Sequence, residues 1–110
     1  MYNMKKGPKI TLVTPIAVNG HRVTAIIIGR HYREKHAHYM NDEIILNLVM
    51  ALDGGEFSPD STNLGIEYYA ADISLKINGL AKVCRLVWLF EGDLLEIIGV
   101  INAYRVKRKK

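Results

Sequence analysis

The sequence predicts an α+β domain in which two N-terminal helices pack on a twisted antiparallel β-sheet, in the order β-β-α-α-β-β-β. Three observations predict it. Asn19-Gly20 and Asn78-Gly79 each divide a pair of extended, apolar-rich runs, and Asn-Gly is the strongest short hairpin signal because both residues tolerate positive φ. Between those hairpins the β-branched residues vanish at Arg30 and helix-compatible ones take over. At 110 residues the chain forms one domain, with a core that needs neither disulfide nor metal.

Taken in order, "KITLVTPIAVNGHRVTAIIIG" gives the first two strands, with Pro15 confining the first to a sheet edge or a bulge. The first helix is expected over Arg30 to Tyr39. Asn41 or Asp42 caps the second, "DEIILNLVMAL", where Ile45, Leu48, Val49 and Leu52 fall on one face and Gly54-Gly55 ends it. The polar stretch "GGEFSPDSTNLG" reads as a loop. Beyond it, "IEYYAADISLKI", "LAKVCRLVWLF" and "LLEIIGVINAYRV" meet across Asn78-Gly79 and Glu91-Gly92-Asp93, which predicts an antiparallel meander. Residues 1–8 and 107–110 read as flexible ends.

Apolar residues make up 49% and charged residues 24%, the balance of an ordinary globular domain. No stretch reaches the ~18 consecutive apolar residues of a membrane span, and "MYNMKKGPK" lacks a signal peptide's apolar core. The lone Cys84 lies in an apolar run, which suggests a buried thiol and, with the missing leader, a cytoplasmic location. A net charge of +4 and a pI near 9.3 favour a polyanionic partner. Part of that excess is the tail "RVKRKK", which also reads simply as a solvated end.

"HYREKHAHYMND" gathers three of the four histidines within eight positions. On a helix His31, Lys35 and His38 form one stripe, with His36 on a neighbouring face. His31 and His36 are five apart, so the pattern misses the four-residue spacing of a zinc-binding helix, and no metal or other cofactor is expected. A Gly-x-Ser-x-Gly elbow and a glycine-rich phosphate loop are both missing from the sequence. What remains is general acid-base chemistry beside cations. Those parts suit RNA cleavage by the 2′-hydroxyl, in which a base takes the hydroxyl proton and an acid protonates the leaving oxygen. A solvated helix face accounts for the same cluster without chemistry.

Strand alternation places Arg85 in an otherwise apolar row. It must either pair or face a cleft, and a two-residue turn at Asn78-Gly79 would set Asp72 opposite it. Asn102 and Tyr104 share a face of the last strand, with Arg105 on the other. They read either as hydrogen-bonding groups at a strand end or, with Arg85, as the lining of a polar groove.

The pieces "HYREKH", "NDEIILNLVMALDGGEF" and "CRLVWLF…IIGVINAYRV", followed across roughly residues 20 to 106, resemble the small bacterial toxin domains of the barnase-EndoU-colicin-RelE superfamily, in the polymorphic and contact-dependent toxin branch. The resemblance implies a metal-independent endoribonuclease acting on tRNA or mRNA and neutralised by an inhibitor protein. It makes His31, Lys35, His36, Arg85 and Tyr104 the catalytic candidates, with Arg33, His38, Asn102 and Arg105 holding the RNA. A basic module that binds nucleic acid or protein without catalysis is the alternative.

Overall fold

The computed structural model describes residues 6–29 and 39–106. They form β1 (Lys6–Val18), β2 (His21–Gly29), α1 (Asp42–Met50), β3 (Ser61–Asn63), β4 (Ile66–Ile77), β5 (Leu80–Glu91) and β6 (Ile97–Arg105). This mostly β chain corrects the expected α+β architecture: a single described helix lies against one six-stranded sheet of order β1-β2-β6-β5-β4-β3. The expected first helix falls on residues outside the described ones, Tyr39 excepted. Within the stretch read as a polar loop, Leu64 and Gly65 turn with positive φ and pair β3 with the start of β4.

The sheet is also not wholly antiparallel, because β2 runs parallel to β6, with Ala25 beside Ile97 and Ile28 beside Val100. Two long-range strands thus meet with no turn between them to announce the pairing. Both are interior strands of the sheet, and Ile26, Ile28, Ile98 and Val100 from their apolar runs enter the core.

The local signals act as physical chemistry requires. Asn19 and Asn78 take φ of 53° and are followed by glycines at 76° and 80°, closing hairpins between Val18 and His21 and between Ile77 and Leu80. Pro15 lies on edge strand β1, inside the register shift between Thr11 and Ile16. Asn41 caps α1 by accepting a 2.8 Å bond from the Ile44 amide. The third turn is longer than read: β6 starts at Ile97, and Leu94 and Leu95 are exposed in the connection.

Ile45, Leu48, Val49 and Leu52 of the helical segment are buried against Val18, Val23, Ile26, Leu86, Trp88, Ile98 and Val100. Both Val23 and Ile26 belong to this core, so the alternation of β2 changes phase between them. Asn19 ties the far end together. Its side chain accepts a 2.6 Å bond from the Phe57 amide and donates a 3.0 Å bond to the Phe57 carbonyl. Replacing Asn19→Ala removes both bonds and leaves a β-carbon-bearing residue without local support at positive φ. We expect a loss of about 2 kcal/mol in urea unfolding, with Asn19→Gly recovering the conformational part of it.

Candidate functional site

The two-residue turn at Asn78-Gly79 sets the register of β4 and β5, and that register puts Asp72 opposite Arg85. The next strand continues the row, with Tyr104 of β6 opposite Arg85 on its other side. Three polar side chains therefore cross the sheet on the face away from α1. Arg85 Nε donates to Asp72 Oδ1 at 2.7 Å and Nη2 donates to Oδ2 at 3.0 Å, a bidentate pair on half-exposed groups. Tyr104 is a second hydrogen-bond partner of the guanidinium. Of the two readings of Arg85, the structure gives the paired one.

These contacts set the charges. Hydrogen bonding to Asp72, then to Tyr104, raises the Arg85 pKa further above its ordinary value, so the group is a permanent cation. The same guanidinium, chiefly through its hydrogen bonds, holds the Asp72 carboxyl below the usual carboxylate range. A depressed native pKa means that the pair's stabilisation is present at neutral pH and is lost as pH falls through the Asp72 pKa. Solvent screening keeps that contribution small. In a carbon-13 titration, the Asp72 carboxyl should have its midpoint below the ordinary range. Arg85→Gln should return it upward, and an unchanged midpoint would remove the pair as its cause.

The other described candidates separate onto two faces. Asn102 is half-buried on the Arg85 face opposite Val87, and its Oδ1 accepts from the Ala103 amide at 3.0 Å. Arg105 lies opposite Cys84 and so projects on the helix side, where its guanidinium stands over the Tyr39 ring, 5.7 Å from the centroid. Cys84 is fully buried, and burial raises its thiol pKa against a smaller opposing effect of Arg105. It is an inert core group rather than a nucleophile. His31, Arg33, Lys35, His36 and His38 lie outside the described residues.

Tyr39 and Arg105 open onto a cleft of about 330 Å³ shared with Ile77, Asn78, Leu80 and Lys82. Lys82 and Arg105 give this corner two cations, and Tyr39 gives it an aromatic face. Sequence reading missed Lys82 and Tyr39. The signal that could have found them is the same turn that places Arg85, since it brings Lys82 to the end of the sheet where β6 finishes.

Among the described residues there is no group of three or more histidine, cysteine, aspartate or glutamate side chains that could hold a metal ion. No described helix is long and apolar enough to cross a membrane. Compared with known protein families, curated proteins and solved structures, the chain matches none.

Proposed function

We propose that the protein is an RNA-binding module that takes the phosphate backbone against one end of its sheet. The observation that supports this reading is the segregation of charge along the strands. Lys6, Lys9, Lys76, Lys82, Arg85 and Arg105 occupy the end where β2 and β6 finish and the β4-β5 hairpin turns. The opposite end carries Asp53, Glu56, Glu67, Glu91, Asp93 and Glu96, with Arg22 as its cation among the described residues. Asp42 and Glu43, in the first turn of α1, and Asp72 are the acids that the topology leaves at the basic end. In the sequence Arg30, Arg33 and Lys35 fall between Gly29 and Tyr39, and Lys107 to Lys110 follow Val106.

A polarised charge distribution of this kind steers a polyanion to one end of the molecule and repels it from the other. Single-stranded RNA suits the corner best. Its splayed bases can stack on an aromatic ring beside cations, as Tyr39 offers between Arg105 and Lys82, and α1 is packed on the sheet rather than presented to a major groove. Fluorescence anisotropy with a labelled single-stranded RNA should show binding that weakens steeply with salt. Absence of binding at low salt would end the proposal.

Cleavage is a second reading. Its proton-transfer candidates, His31 and His36, fall in the sequence between Gly29 and Tyr39, and its cation and hydroxyl are Arg85 and Tyr104. Metal-independent attack of the 2′-hydroxyl predicts fragments in EDTA that disappear in His31→Ala and His36→Ala. RNA that stays bound and intact would leave a binding module.

A further inference from the structure

The two outer edges of the sheet differ in how they are protected. Edge strand β1 carries Pro8 and Pro15 and two register shifts, devices that spoil pairing with another chain. On the other side β3 covers only Ile66 to Tyr68, so β4 runs on from Tyr69 to Ile77 with no described strand beside it. This stretch, "YAADISLKI", holds no proline and pairs with β5 without a register shift.

Which backbone groups face outward follows from the hairpin. Ile77 and Leu80 flank a two-residue turn and exchange hydrogen bonds with each other. Alternation then turns the N–H and C=O of Ala70, Asp72, Ser74 and Lys76 toward the free edge. The parity is visible further along the strand, where the Tyr68 carbonyl accepts from the Asp60 amide at 2.8 Å on that side.

We infer that this edge of β4 pairs antiparallel with the same edge of a second copy of the chain, with Ser74 opposite Ser74. This register is self-complementary. On the face away from α1 it sets Asp72 of each copy against Lys76 of the other. On the helix face it sets Ile73 against Leu75 and Ala71 against Ile77, extending an apolar row that is only partly buried in the single chain. A cleft of about 380 Å³ between α1 and β4, lined by Ile44, Asn47, Leu75 and Ile77 among others, lies beside that row. Pairing one residue pair over, with Ile73 as the centre, loses the charge match and puts Lys76 against Ala70. The Asp72 to Lys76 contacts therefore select the register.

Sedimentation equilibrium of the full chain over a rising micromolar series should give a mass of twice 12.4 kDa. Ser74→Pro removes an outward N–H and leaves the β5 ladder intact, so it should yield a folded monomer, with circular dichroism unchanged. Ser74→Cys should form a covalent dimer under mild oxidation, because paired α-carbons about 5.5 Å apart fall within disulfide reach. Cys84, fully buried, does not compete. A wild-type monomer at every concentration whose Ser74→Cys variant also fails to cross-link would overturn the inference. So would a dimer that folded Ser74→Pro retains. Neither outcome touches the RNA reading, which is measured separately.

Discussion

Trp88→Ala should lower the unfolding free energy by about 3–5 kcal/mol, a large share of what a domain of this size has to lose. Trp88 is fully buried at the centre of β5. It stacks on Tyr69 of β4 at 5.6 Å between ring centroids and receives the Phe57 ring edge-on at 5.3 Å. Phe57 is in turn bound through its main chain to Asn19, so one indole joins two strands, a loop and the first hairpin. Truncation leaves a cavity that a rigid sheet cannot close, and the aromatic contacts are lost with it. Among the described residues the indole Nε1 has no hydrogen-bond partner, a cost that the native state carries. Trp88→Phe removes that cost while keeping most of the packing, so it should lose far less than the alanine variant. Urea unfolding of the pair checks the argument, and equal losses would show that the core does not centre on this residue.

The features legible in the sequence were those that a few adjacent residues control. Asn19-Gly20 and Asn78-Gly79 turn because those residues accept positive φ, and the burial of α1 follows from the spacing of Ile45, Leu48 and Val49. The Asp72 to Arg85 pair followed from the turn alone, since a two-residue loop fixes every partner above it. What escaped was non-local. Insertion of β6 between β2 and β5 depends on strands distant in sequence, and a continuous apolar run such as Ile26 to Ile28 does not say what lies on either side. The expected balance of two helices on a sheet rested on local composition, whereas strands make up most of the described chain. The resemblance to toxin ribonucleases carried that same helix-on-sheet architecture. The candidate site divided for a related reason: Arg85, Asn102 and Tyr104 share one face, and Arg105 stands on the other beside Tyr39.

Reversing two charges at the basic corner, Lys82→Glu with Arg105→Glu, should weaken single-stranded RNA binding by on the order of a hundredfold at low salt and flatten its salt dependence. Binding through roughly six phosphate contacts gives a log-log salt slope of about −4. Losing two contacts should bring it to about −3, because each neutralised phosphate releases its own share of counterions. Arg105→Glu also removes the cation from the Tyr39 ring, exposing the base-stacking part of the interaction to the same test. Both side chains stand at the end of the sheet and outside the core, so thermal unfolding should change little and affinity can be read without a folding correction. Reversal at the other end, Asp93→Lys with Glu96→Lys, adds the same amount of charge in the opposite sense at a site far from the basic corner. If overall charge alone drove binding, that variant would gain as strongly as the first one loses. If the segregated ends decide where RNA docks, its slope should stay near the wild-type value, since the counterions released come from phosphates held at the end that carries Lys82 and Arg105.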